Sequence, residues 1–242
     1  MSTYPPQFNQ NAYNYATHTS TVSRISQIMK RVYVNMTLAL IVTAFVSLFC
    51  ANSYGYLAFM EQNSWFMWVL IIAEFGIVIG VSAGINKLST ATASLLFYLF
   101  AVVNGLLLGP VFLLYTGASI AKTFFITAGT FAAMSVYGFC TDRDLTKIGN
   151  ILFMALIGLI IASVVNIFLP GENATLSWII SIAGVIIFVG LTAWDTQQIK
   201  RMAAIAPDDS VGRLAVLGAL SLYLDFINLF LYLLRIFGAS RD

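Results

Sequence analysis

The sequence predicts an all-α, polytopic membrane protein, a bundle of seven transmembrane helices with the seventh helix at its centre. Three observations carry this expectation. Of the 242 residues, 60% are hydrophobic and only 9% are charged, whereas a soluble domain carries about 25% charge. The apolar residues gather into seven runs, each near the roughly 20 residues that a spanning helix needs. The last run, residues 214–237 (LAVLGALSLYLDFINLFLYLLRIF), holds an acid, Asp225, at its middle. At helical spacing Gly218, Ser221, Asn228, Tyr232 and Arg235 fall on the stripe of Asp225, with Tyr223 the main polar residue off it. A carboxylate at mid-bilayer normally faces a bundle interior or a water-filled cavity, so this helix belongs in the middle.

Taken in order, residues 1–21 (MSTYPPQFNQNAYNYATHTST) are rich in Asn, Gln, Tyr, Ser and Thr and show no helical apolar period. They are expected to be a disordered polar tail, and they lack the charged start and apolar core of a cleaved signal. The membrane domain runs over 22–238, followed by a short C-terminal tail, 239–242. Its spans fall at about 31–51, 65–85, 91–115, 119–140, 148–169, 176–204 and 211–237. Turn residues mark the joints: Asn52 and Gly55, Asn86 to Ser89, Thr116 and Gly117, Thr141 to Asp144, Pro170 and Gly171, Pro207 to Gly212. In the second span Gly76, Gly80 and Gly84 form a small-residue ladder suited to close helix packing. In the third, Asn104, Gly105, Gly109 and Pro110 predict a kink.

Orientation follows from the basic residues. Arg24, Lys30, Arg31, Lys87, Arg143, Lys147, Lys200, Arg201 and Arg213 fall on one face, and Lys122, Arg235 and Arg241 on the other. Nine against three puts the N-terminus in the cytoplasm and, after seven crossings, the C-terminus outside. Arg235 is expected to snorkel to the outer interface.

Composition excludes several function classes. A net charge of +2 with no aromatic-interleaved basic patch argues against nucleic acid. Cys50 and Cys140 fall at opposite faces and lack metal-ligand spacing, and the single histidine, His18, lies in the tail. No phosphate-binding glycine loop, HExxH, or nucleophile near a histidine is present, so no enzyme is expected. The intramembrane aspartates stand in TAWDTQQIK and LYLDFINLF, without the GxGD context of an intramembrane aspartyl protease.

Three acids remain inside the spans: Glu74, Asp195 and Asp225. TQQIKRMAAIA contains no breaker before Pro207, so the sixth helix should continue past Trp194 to about residue 204. Asp195 and Asp225 then differ in depth by only about 8 Å. Two carboxylates sharing a low-dielectric site cannot easily both ionise and titrate as a unit. They can hold one proton between them or accept a hard cation such as Ca²⁺, and Ser221 and Asn228 would add oxygens on the same stripe.

TAWDTQQIK, LYLDFINLFLYLLRIFG and the connection YGFCTDRDLTKIG together resemble the Bax inhibitor motif family, specifically its bacterial branch, from about Val22 to Gly238. The resemblance implies a seven-helix bundle around the last helix and a pH-sensitive Ca²⁺ leak. Its gate would be the aspartate pair corresponding to Asp195 and Asp225, and Glu74 matches an acid in the family's second helix. Relatives can carry an arginine further along that helix that interacts with the acids. Here the region reads GINKLS, with Asn86 and Lys87 and no arginine. The expected function is therefore a pH-sensitive cation leak in a bacterial cell (inner) membrane. Asp195 and Asp225 are its sensor and Ca²⁺ contact, Glu74, Ser221 and Asn228 its candidate ion path, and Ca²⁺ its permeant ion with no other cofactor. Two alternatives are a proton-coupled transporter and a regulator acting on a partner such as a membrane-bound protease in a stress pathway.

Overall fold

The computed structural model describes the backbone of residues 10–168 and 174–239, and the side chains of residues 21–166 and 174–239. Its helices are α1 (Gln10–Ala51), α2 (Tyr54–Gln62), α3 (Ser64–Gly84), α4 (Thr90–Leu114), α5 (Gly117–Cys140), α6 (Thr146–Phe168), α7 (Ala174–Ile205) and α8 (Val211–Phe237). All but α2 contain a segment long and apolar enough to cross a membrane, and the chain is a polytopic all-α membrane protein. Hydroxyl caps start three helices. Ser53 Oγ accepts from the Tyr56 N–H, Ser89 Oγ from the Thr92 N–H and Thr116 Oγ1 from the Ser119 N–H, each replacing a bond that a helix start lacks.

Helix α8 is the axis. In its spanning segment 72% of the residues are buried, against 39% at most in any other helix. It packs against α7, α1, α5 and α4 and touches α3. Helix α6 leans on α7 and α3 on α4, and only 11% of each of their spanning segments is buried. Ile72, Phe75 and Ile79 of α3 and Ile151, Met154 and Ile161 of α6 are accordingly exposed.

Three expectations need correction. Residues 10–21 belong to α1, where the polar composition predicted a disordered tail. No glycine or proline occurs between Pro6 and Gly55, and a helix already nucleated in the membrane gains a hydrogen bond with each residue added. The expected tails over 1–9 and 240–242 lie outside the described residues. Helix α2 stands where the sequence predicted only a connection; nine residues cannot span, so hydropathy reading passes over them. The glycine ladder does not pack within the chain: a Cβ at Gly76 or Gly80 would meet nothing within 4 Å, and one at Gly84 only Leu88.

Glycines in α4 let α1 pack closely against it. A Cβ at Gly105 would come within 2.7 Å of Val46 Cβ, and one at Gly109 within 2.7 Å of Cys50 Cβ, so α1 and α4 touch backbone to side chain here. Pro110 has no N–H to give to the carbonyl one turn earlier. That carbonyl, Leu106 O, accepts instead from the Tyr56 hydroxyl of α2 at 2.8 Å. Burial, helped by the nearby Cys50 sulfur, pushes the Tyr56 phenol up to about 12.

Candidate functional site

Because α7 continues ten residues past Asp195, to Ile205, this acid lies well inside the bundle rather than at its surface. Asp225 lies fourteen residues into α8. The two antiparallel helices place the acids as neighbours, close enough for Asp195 to act electrostatically on Asp225. Ser221, one turn before Asp225, donates its hydroxyl to Asp195 Oδ2. Asp225 is 4% exposed, and its Oδ2 is buried with no hydrogen-bond partner. The ion pairs among the described residues lie elsewhere, Arg24 with Asp208, Arg201 with Asp144 and Arg213 with Asp209. No basic side chain from the GINKLS segment takes the place of a latch; the Asn86 carbonyl there accepts from Arg213 at 3.2 Å.

The polar stripe of α8 thus faces α7, as Gly218 and Tyr232 also attest. A Cβ at Gly218 would press on Ile199, and Tyr232 stacks on Phe188 with centroids 5.9 Å apart over Gly184. Arg235, near the far end, is exposed and lies 5.6 Å over the Tyr232 ring.

A cavity of about 280 Å³ reaches Asp195. Asp195, Gln198 and Met202 of α7, Leu217 and Ser221 of α8 and Ser82 of α3 line it. Those residues come from the last part of α7 and the first part of α8, so the cavity approaches from the end where the two helices join. Toward the opposite membrane face, Leu229 and Leu233 of α8 pack with Ile180, Ile187, Phe188 and Leu191 of α7 and Leu159 of α6. Asp195 therefore sits between a cavity on one side and apolar packing on the other.

Of the sequence-predicted residues, Asp195, Asp225 and Ser221 come together, and Glu74 and Asn228 do not join them. Asn228 Nδ2 turns back to Leu224 O at 2.8 Å. Glu74 belongs to a second network, accepting from Asn104 Nδ2 at 2.7 Å. Asn104 Oδ1 accepts in turn from the Tyr223 hydroxyl at 3.2 Å, which lies 2.6 Å from Thr43 Oγ1. Thr43 also donates to Ala101 O at 2.9 Å. Sequence reading missed this assembly, although each member is a polar residue within an apolar span and needs a partner there.

Among the described residues no group of three or more His, Cys, Asp and Glu side chains could hold a metal ion. Two carboxylates and one hydroxyl fall short of the six to eight oxygens that Ca²⁺ takes. The arrangement suits a hydrated cation in transit better than a resident one.

The connection from α5 to α6 is pinned to the end of α7. Gln197 Oε1 accepts from the Leu145 N–H at 2.9 Å and its Nε2 donates to Arg143 O at 2.8 Å. Lys200 donates to Phe139 O at 2.6 Å. Asp144 accepts from the hydroxyl and N–H of Thr146 and from Arg201. These bonds, the Thr146 hydroxyl first, hold its carboxyl well down, at about 2. The quoted segments TAWDTQQIK and CTDRDLTK are therefore two sides of one contact.

A family model described as "Inhibitor of apoptosis-promoting Bax1" matches residues 25–242. The chain is 50% identical over 216 residues to the inner membrane protein YbhL of Escherichia coli K12, covering 88% of this chain and 92% of that one. It is 45% identical over 215 residues to the uncharacterized protein RP147 of Rickettsia prowazekii, covering 88% and 90% of the two chains. An uncharacterized protein of Borreliella burgdorferi is 43% identical over 219 residues, covering 90% and 94%. The family match runs from the first spanning helix through α8, so the chain belongs to the Bax inhibitor family of membrane proteins.

Proposed function

We propose that the protein is a pH-sensitive cation leak that passes Ca²⁺ down its gradient across a bacterial inner membrane, with Asp195 and Asp225 as its gate. The single observation that carries this reading is the pair of neighbouring buried carboxyl groups, without a basic partner among the described residues, one of which lines a cavity. The likeness to an inner membrane protein of Escherichia coli supports the membrane. The nine-to-three distribution of basic residues supports a cytoplasmic N-terminus, an external C-terminus and a cavity open to the cytoplasm.

At acidic pH one proton lies between the carboxyl oxygens and joins α8 to α7. When it leaves, two negative charges stand side by side in a low-dielectric bundle and repel. Helix α8 withdraws from α7, the apolar contacts of Leu229, Leu233 and Phe188 part, and water follows from the cavity. Ca²⁺ crosses with the carboxylates and the Ser221 hydroxyl replacing part of its hydration shell. Glu74, bonded to Asn104, is the third intramembrane acid and the next candidate contact for the ion.

Ca²⁺ entry into liposomes holding the purified protein, followed from about pH 5 to 8, tests the gate. Flux should rise as pH rises, and Asp195→Asn and Asp225→Asn should each abolish the dependence. An Asp225→Asn protein with the parent's pH profile would exclude this gate. Flux no greater than that of empty liposomes at every pH would turn the reading toward a regulator of a partner protein.

A further inference from the structure

A second cavity, of about 490 Å³, opens on the membrane face that carries most of the basic residues, between α1 and the starts of α4 and α8. Gln27, Lys30, Arg31 and Asn35 of α1 and Thr90 and Ser94 of α4 line it. None of the lining residues is an acid. Elsewhere on this face Arg24, Arg201 and Arg213 are neutralised by aspartates. Lys30 and Arg31 form no ion pair among the described residues. The Tyr98 hydroxyl occupies Asn35 Oδ1, at 3.4 Å, which leaves the Asn35 amide N–H groups to donate elsewhere. The result is a recess with two cations and several uncommitted donors, and with the buried Ala215 and Val216 of α8 in its wall.

The helix surface leading away from this recess is an exposed apolar stripe. On α1 the positions Gln27, Arg31, Val34, Leu38 and Ile41 follow one another at intervals of four, three, four and three residues and so share one face. The first two are polar; Val34, Leu38 and Ile41 are apolar and exposed. From Arg31 to Ile41 the helix rises about 15 Å, which is half of a hydrocarbon core about 30 Å thick. The stripe is therefore charged where a headgroup would lie and apolar over the depth of one leaflet. A soluble anion would use the first part and leave the second unexplained.

We infer that this recess is a binding site for an anionic phospholipid, its phosphate held by Lys30 and Arg31 with Asn35 and Ser94 and its acyl chain lying along α1. Basic pockets between spanning helices favour such headgroups. The bound lipid would touch Thr90 and Gly212, which already meet so closely that a Cβ at Gly212 would lie 2.6 Å from Thr90 Cγ2. It would thereby brace the start of the central helix against α4. This site is separate from the aspartate pair, and its test needs no flux measurement.

Native mass spectrometry of the full chain, released from non-ionic detergent containing phosphatidylglycerol, phosphatidylcholine or inorganic phosphate, reads the bound species directly. The parent should retain phosphatidylglycerol in preference to phosphatidylcholine, and millimolar phosphate should not displace it. Lys30→Gln with Arg31→Gln should weaken retention about thirtyfold, each cation contributing a factor of about five. Lys87→Gln with Lys147→Gln, which removes the same charge elsewhere on that face, should leave retention unchanged. Ser94→Leu keeps both charges but fills the recess, and should also reduce retention, which guards against a misfolded double variant. Equal loss in the two double variants, retention untouched by Ser94→Leu, or displacement by phosphate alone would each overturn the assignment.

Discussion

Tyr223 shows how tightly single protons are allotted in this core. Its hydroxyl meets Thr43 Oγ1 and Asn104 Oδ1, while Thr43 also reaches Ala101 O. Tyrosine and threonine have one hydroxyl proton each, so two protons serve three contacts. Replacing Tyr223 by Phe frees Thr43 to donate to Ala101 O and leaves mainly Asn104 Oδ1 without its donor. The expected loss is about 1–2 kcal/mol, read as a lower unfolding midpoint in detergent. The pH profile of flux should persist, because Tyr223 faces α1 and α4 rather than α7. The aspartates were legible in the sequence because a charge in an apolar run has few structural explanations. Tyr223 and Asn104 were not, since either residue is common in a spanning helix and only the three-dimensional meeting of α3, α4 and α8 joins them to Glu74. Asn228 shows the converse: it shares the stripe of Asp225, yet its amide is satisfied one turn away on its own helix.

At the scale of helices, hydropathy located six spans to within a few residues, since the bilayer demands a fixed length of apolar helix, but it began the first at about 31 where the apolar segment starts at Thr21. It says nothing about α2 or about the polar start of α1, which begins at Gln10. The contact between α2 and α4 can be tested by a double-mutant cycle. Tyr56→Phe alone should cost about 1–2 kcal/mol by leaving Leu106 O without a donor. In a Pro110→Ala background the cost should largely vanish, because an alanine amide at position 110 can bond that carbonyl within α4. Glycines give a second contrast. Gly138→Ala would drive a methyl into the backbone carbonyl of Ala193 and force α5 away from α7, an overpacking cost of about 1–3 kcal/mol. Gly76→Ala meets open space and should be neutral or stabilising by about 0.5–1 kcal/mol. Thermal unfolding of the two variants side by side separates them. The ladder spacing in α3 was visible in the sequence, but spacing records only that a backbone can be approached, not that a neighbour approaches it.

For the molecule as a whole, the question is which group could make a leak respond to pH between about 5 and 8. Asp144 cannot be that group. Its carboxyl is held at about 2 in the folded protein against about 3.9 in an unfolded chain. Its stabilising bonds to Thr146 and Arg201 are therefore fully present above the unfolded value and are lost only as pH falls through the folded one. Asp144→Asn should lower the unfolding midpoint at neutral pH and approach the parent only below pH 2, while leaving the midpoint of the flux profile where it was. Histidine ordinarily titrates in the relevant range, and the chain has one, His18. The contest is thus between a group in the N-terminal segment and the intramembrane acids, Glu74 as well as Asp195 and Asp225. Deleting residues 1–21 removes His18 without touching either aspartate. If the pair is the sensor, the truncated protein should conduct with the parent's pH midpoint, and Asp225→Asn in that shortened chain should flatten the profile as it does in the full one. A truncated protein that conducts equally at every pH would move the sensor out of the bundle and leave the aspartates a part in packing alone.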